Sequence, residues 1–162
     1  MSVNRDVTQR RLAEEALIEN ERLLSESQRI GHVGSWSLNL IKNSLQYSDE
    51  MYRLLDVSPR GFPHSSEAFL NLIHPLDHPA AAQWMKDIST GRQPSELTFR
   101  IFRKNGELRH ILCRGAITFD SSGKPVRFIG MAQDITERRL AEIQIRQQIE
   151  RLTALREIDQ AI

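Results

Sequence analysis

The run "HPLDHP" sets His74, Asp77 and His78 close together. Imidazoles four residues apart can present two nitrogens to one metal ion. Pro75 and Pro79 interrupt the run and make it a loop leading into a helix, and no further ligand type clusters beside it. The spacing therefore reads as structural, and no metal is expected. Cys113 is the single thiol, which excludes an internal disulfide and a cysteine-based zinc knuckle. It lies in "ILCRGA", a strand-like run, and reads as a small core residue. His110, three positions earlier, falls on the opposite face of that strand and reads as surface; His32 and His64 fall in loops. Trp36 and Trp84 could stack on a planar ligand, but two indoles in a small core more simply pack.

No other constellation supports catalysis. There is no P-loop, no G-x-S-x-G and no HExxH, and the carboxylates are scattered beside Lys or Arg. The chain is not expected to be an enzyme. Lys+Arg of 22 against Asp+Glu of 21 gives a net charge of +1, so bulk charge recruits neither nucleic acid nor an anionic membrane. The start, "MSVNRDVTQRR", lacks the apolar centre of a signal peptide, and no apolar run nears the roughly 20 residues that span a bilayer. A soluble, cytoplasmic polypeptide is expected, and 162 residues with 40% hydrophobic content suffice for one packed domain.

The elements around these residues open and close on one phrase. "RDVTQRRLAEEAL" from Arg5 returns as "QDITERRLAEIQI" from Gln133, pairing Asp6 with Asp134 and Thr8 with Thr136. Each Asp stands where it could cap a helix, and Gln9 and Glu137, three positions on, complete a capping-box pattern. From Thr8 to about Ser27, and from Thr136 to Ile162, there is no Gly or Pro. The first helix carries Ala13, Leu17, Asn20 and Leu24 at heptad spacing; the second carries Ile145, Ile149, Leu152, Leu155, Ile158 and Ile162 as a stripe. Such faces want a partner helix, so a homodimer is expected with Leu17, Leu24, Ile145, Ile149 and Leu152 at its interface. A period of 128 residues suits whole domains in series, each followed by the same outgoing helix. The chain then reads as a piece of a longer protein.

Between the helices the pattern is α+β. "GSWSLNL" alternates with Trp36, Leu38 and Leu40 on one face, and "KNSLQYS" completes a hairpin. "SDEMYRLLDV" reads as a short helix capped by Ser48 or Asp49, with Met51, Leu54 and Leu55 inward. "SSEAFLNLI" is a second, and a longer one begins at Asp77 as N-cap and stops at Gly91. Then "SELTFRIFR" turns Leu97, Phe99 and Ile101 inward. Asn105–Gly106 signals a two-residue hairpin turn. "ELRHILCRGAITFD" places Ile111, Cys113, Gly115, Ile117 and Phe119 on one face, and "VRFIGMAQ" is the last strand.

In order, G-x-W, S-D-E-M-Y-R-L-L, I-H-P-x-D, F-R-I-x-R-K-N-G-E and D-x-x-G-K-P-x-x-x-x-G-x-x-x-D-I-T-E-R resemble a PAS domain with its C-terminal PAC motif, from about Ile30 to Arg139. The resemblance implies a five-stranded antiparallel sheet, order 2-1-5-4-3, with short helices on one face, flanked by coiled-coil-type helices. It implies a linker helix over 1–29, a PAS domain over 30–135 and a signalling helix over 136–162. The tail "RLTALREIDQAI" resembles the incoming helix of a GAF domain. By resemblance the function is sensory: a PAS module of a histidine kinase or a diguanylate cyclase, or a ligand-free dimerisation and relay module, with Asp134 and Thr136 as the relay. The family's light sensors use a cysteine in an N-C-R-F-L-Q-like helix; that motif for flavin and a ligand set for haem are both missing here, so neither is expected. Any ligand is expected to be small and apolar, in a pocket of Trp36, Leu38, Met51, Leu55, Leu72, Trp84, Met85, Phe99, Ile111 and Cys113.

Overall fold

Helix-forming residues run unbroken from the start of the chain to Gly31. The computed structural model, which describes residues 2–161, folds them as one helix, α1 (Ser2–Gly31). Asp6 is thus inside a helix, not at its end, which corrects the expected start at Thr8. No breaker precedes Asp6, so its capping chemistry has no free amides to serve. The helix also passes the expected boundary at 29/30 by two residues. His32, in the left-handed region at φ 51°, then turns the chain into the sheet.

Among the described residues five strands form one antiparallel sheet: β1 (Val33–Asn39), β2 (Ser44–Tyr47), β3 (Leu97–Phe102), β4 (Leu108–Phe119) and β5 (Pro125–Asp134), in the order β2-β1-β5-β4-β3. This is the expected strand order. The helices α2 (Asp49–Leu55), α3 (Ser66–Leu72) and α4 (His78–Ser89) cover one face, with a 3-10 turn at Pro75–Asp77. The outgoing helix is α5 (Thr136–Gln160); Ile162, the last residue of its expected stripe, lies outside the described residues.

The alternation read from the sequence faces the core as expected over most of its length. Leu97, Phe99, Ile101, Ile111, Cys113, Phe128 and Ala132 are buried from the sheet side, and Met51, Leu54, Leu55, Trp84 and Ile88 from the helices. Ser48 joins the two layers: its hydroxyl caps α2 by accepting from the Met51 amide and also accepts from the Ser35 amide of β1. Phe119 departs from the pattern and is 53% exposed. Phe119 keeps the phase of buried Ile117 but is the last residue of β4; there it pairs with Pro125, leaving Val126 of β5 as an extra residue in the ladder. The β3–β4 turn is also wider than two residues. Gly106, not Asn105, takes positive φ (83°), and its amide donates to the Arg103 carbonyl. That is a turn closed by a left-handed glycine rather than a turn with two such residues.

Two facing glycines at the centre of the sheet are fixed by the close approach of aromatic rings. Gly115 and Gly130 sit opposite each other on β4 and β5. A Cβ on Gly130 would lie 2.4 Å from the Trp36 ring, and one on Gly115 would lie 2.5 Å from the Phe128 ring. Rings occupy the space that side chains would fill. Trp36, Phe128 and Trp84 then form a cluster with centroids 4.9–5.6 Å apart. Gly130→Ala should therefore cost about 1–3 kcal/mol by overpacking. Gly61→Ala, with nothing within 4 Å of its Cβ, should change stability by less than about 0.5 kcal/mol. Chemical denaturation of both variants checks the pair; equal stability would show that Trp36 yields freely.

Candidate functional site

A cavity of about 180 Å³ opens between β1, β2, α3 and α4. Trp36, Leu38, Met51, Trp84 and Met85 line it. Leu55, Leu72, Phe99, Ile111 and Cys113, also expected there, do not. Phe99, Ile111 and Cys113 are 0–1% exposed and covered by other side chains; Phe69 stands edge-on to Phe99 at 5.5 Å. Alternation says which strand residues face inward, but not which inward residues a helix covers. The wall is completed by Leu40, Leu45, Tyr47, Phe69 and Ile88, with Asn43, Ser66 and Ser89 as its polar members. Tyr47, whose hydroxyl is held protonated by burial, closes one side with Tyr52, Phe62 and His64. Burial pushes the Cys113 thiol up to about 12, which keeps it an inert core residue.

The sequence's second site is the turn from sheet to outgoing helix. β5 ends at Asp134, and Ile135 occupies the N-cap position of α5 without a side-chain bond. Asp134, one residue earlier, still reaches the first turn: its Oδ1 accepts from the Thr136 amide at 2.9 Å and the Thr136 hydroxyl at 2.6 Å. This displaces the expected cap by one position, and no Glu137 side-chain bond returns to close a capping box. Thr136 is 5% exposed, and its hydroxyl accepts from the His110 amide at 2.8 Å. The Ile135 amide donates to the His110 carbonyl at 2.9 Å. The other Asp134 oxygen takes the Arg109 Nε at 2.8 Å, while Arg109 also holds Glu107.

His110 was expected at the surface but is partly buried in this junction, with Nδ1 3.3 Å from the Arg139 guanidinium. Its strand phase is outward, as expected; the covering comes from α5, which strand alternation cannot show. No sequence signal marked Arg109 or Arg139 as its neighbours, apart from the repeated Arg-Arg pair.

The histidines at the α3–α4 corner serve the fold. His74 Nδ1 accepts from the Leu76 amide, and His78 Nε2 lies 2.7 Å from the Ile73 carbonyl. Asp77 does not cap α4 with its side chain. Its carboxylate instead takes the Arg100 amide, Nε and Nη2 at 2.8–2.9 Å, pinning the corner to β3. A paired guanidinium outbids free helix amides for one carboxylate.

The stripes on α1 and α5 are open. Leu17, Leu24, Ile145, Ile149 and Leu152 are each more than half exposed. Leu17 and Leu24 stand 128 positions before Ile145 and Leu152, the same offset as the repeated phrase, so both stripes keep one phase relative to it.

The junction should respond to pH through two groups. Burial pushes the Asp134 carboxyl up, but the Thr136 hydroxyl and amide, with Arg109, outweigh it and hold the group below its usual range. Its contribution is full above about pH 3.9 and is lost as pH falls through the lower folded value. Burial, then Arg139 and Arg100, lower the His110 imidazole. A depressed histidine costs stability as pH falls below about 6.5, because the unfolded chain takes the proton first. Amide exchange at residues 135–139 should therefore quicken from pH 7.5 to 5.5 beyond its intrinsic change, and His110→Gln should remove that excess. An unchanged excess would clear His110. Asp134→Ala should cost about 1–3 kcal/mol, since three hydrogen bonds are lost and Arg109 keeps only Glu107.

Residues 44–132 match the model of a family described as the PAS fold. Among solved structures, a sensory box histidine kinase/response regulator from Burkholderia thailandensis aligns with a TM-score of 0.59 at 22% identity. The alignment covers 81% of this chain and 98% of that one. The N-terminal domain of a diguanylate cyclase with PAS/PAC sensor from Marinobacter aquaeolei aligns with a TM-score of 0.57 at 22% identity, over 66% of this chain and 98% of that one. An uncharacterized protein of Sinorhizobium fredii is 33% identical over 78 residues, 48% of this chain; the match spans only 9% of that relative's length. With this strand order, three helices on one sheet face and a family match over more than half its residues, the chain belongs to the PAS fold family.

Proposed function

We propose that this chain is a sensory relay module: the state of its cavity, or of a module joined to α1, sets the position of α5 for a downstream effector. The observation that carries the reading is the junction. The first turn of α5 is bonded into the last step of the sheet through Thr136 and Ile135. Trp36 lines the cavity and lies on Gly130 of β5, four residues before Asp134. A ligand that moves Trp36 therefore pushes on the strand that becomes α5. A change of helix angle or register is a two-state response that a ligand can bias.

No catalysis is assigned to this chain. A histidine kinase is the effector we favour, with a diguanylate cyclase second, by analogy with the proteins whose sensors share the fold. The setting is cytoplasmic. The ligand is small and apolar: about 180 Å³ lies below the ~300–1,000 Å³ of usual ligand pockets, which argues against haem or flavin. The same smallness favours a second reading, a ligand-free connector that only dimerises and relays. Mass spectrometry of the denatured supernatant, with an absorption spectrum, separates the two. A stoichiometric small molecule supports the sensor; a colourless protein with nothing bound after several expression conditions supports the connector.

The relay requires a second helix against the open stripes, and a second copy supplies it. Light scattering should give a dimer at tens of micromolar. Changing Ile149 and Leu152 to Ser together should shift it to monomer while the unfolding midpoint of the core stays put; a monomeric wild type would sink the dimer. In an intact parent, Asp134→Ala and Thr136→Ala should leave any ligand binding in place and abolish most of the regulated output. Unchanged regulation would reduce the turn to a helix start.

A further inference from the structure

We propose a second ligand site, for a small carboxylate or phosphate oxyanion, in the groove between the end of α1 and the start of α5. This groove lies apart from the apolar cavity and encloses about 460 Å³, within the ~300–1,000 Å³ of usual ligand sites. Its walls carry four guanidiniums, from Arg29, Arg53, Arg103 and Arg109. Two are already paired: Arg53 with Glu50 at 2.9 Å, and Arg109 with Asp134 at 2.8 Å. The other two have no carboxylate within 4.0 Å among the described residues.

Arg103 supplies the second observation. Its Nε is buried and has no hydrogen-bond partner among the described residues. Water does not reach that nitrogen, so the part-buried Arg103 guanidinium is incompletely solvated, and an anion beside its open end offsets that cost. Arg29, in the last turn of α1, adds a second unpaired guanidinium to the same walls. Glu137, in the first turn of α5, is the one lining carboxylate without an ion pair. The balance leaves one uncompensated positive charge. Guanidinium forks match carboxylate and phosphate oxygens two at a time, so either group fits the donors.

Arg29 belongs to the incoming helix and Glu137 to the outgoing one, with Arg103 at the start of the β3–β4 turn on the same walls. An anion held there ties the two helices to one body. It is an input separate from the apolar cavity, and goes beyond the relay proposed above.

The test uses the whole chain and needs no effector. Inorganic phosphate and citrate are titrated by calorimetry and by thermal shift, with sodium chloride at matched ionic strength as the control. Saturable binding of at least one probe is expected, and phosphate against citrate distinguishes a phosphate source from a carboxylate one. Arg103→Gln and Arg29→Gln should each weaken it about tenfold, the loss of one charged hydrogen-bonding partner. Glu137→Gln should tighten it, because a competing carboxylate is gone. No saturable response to either probe, or affinity within twofold of wild type in both arginine variants, overturns the site. If Arg103→Gln fails to fold, Arg29→Gln at an exposed helix end decides alone. Failure here leaves the apolar-cavity relay standing, and failure of that relay leaves this binding measurable.

Discussion

A strand cannot become a helix without stranding backbone groups. At the end of β5 the ladder with β4 has one step left to make, and the chain has already turned. The His110 amide of β4 then faces the position where a strand would offer a carbonyl. Thr136 meets it with a side-chain hydroxyl instead, while Ile135 still satisfies the His110 carbonyl. A hydroxyl can do this only if its own proton goes elsewhere. Asp134 takes that proton and the Thr136 amide with one oxygen, and its other oxygen is held by Arg109. Each group in the turn is thus oriented by the next. Removing any one leaves a buried polar atom unmatched, which costs more than a net hydrogen bond contributes.

That constraint reaches the interior because β5 is the middle strand. It pairs with β1 on one side and β4 on the other, so it cannot shift without moving both. The paired glycines at positions 115 and 130 make this centre thin, and the rings of Phe128 and Trp36 lie across it. The ring stack runs on to Trp84 of α4, whose indole nitrogen donates to the Ser95 carbonyl at 2.6 Å. The cavity wall, the central strand and the outgoing helix are consequently one mechanical unit. Well-packed interiors transmit small displacements instead of absorbing them.

Much of this was legible in the residues, for definite reasons. Period-two alternation located the strands and their inward faces, and Gly and Pro marked the breaks between helices. Of the two residues read as possible caps, Ser48 and Asp49, it is Ser48 whose hydroxyl caps the helix. What the sequence hid was long-range pairing. Asp77 and Arg100 are 23 positions apart, and nothing local says that the carboxylate prefers that guanidinium to the helix beside it. Cavity membership was hidden for a similar reason: Phe99, Ile111 and Cys113 face inward as read, yet lie beneath other side chains. Phe119 escaped because it is the last residue of β4, and alternation gives the face of a residue but not where the covering layer stops.

The repeated phrase separates what a motif does by itself from what its surroundings make it do. Arg10 with Glu14, and Arg138 with Glu142, form the same ion pair at 3.3 Å in both copies. That part is a property of any helix bearing those residues. Asp and Thr behave differently in the two places. Thr136 is buried against His110, whereas the Thr8 hydroxyl bonds back to the Asn4 carbonyl within α1. Asp6 makes no cap where Asp134 binds an amide, a hydroxyl and an arginine. The D-x-T sequence is therefore permissive for continuous helix, and forms a strand-to-helix turn here where the neighbouring strand β4 offers the His110 amide and the Arg109 guanidinium. Its turn form occurs where it contacts the folded sheet, and that contact is what the proposed relay rests on.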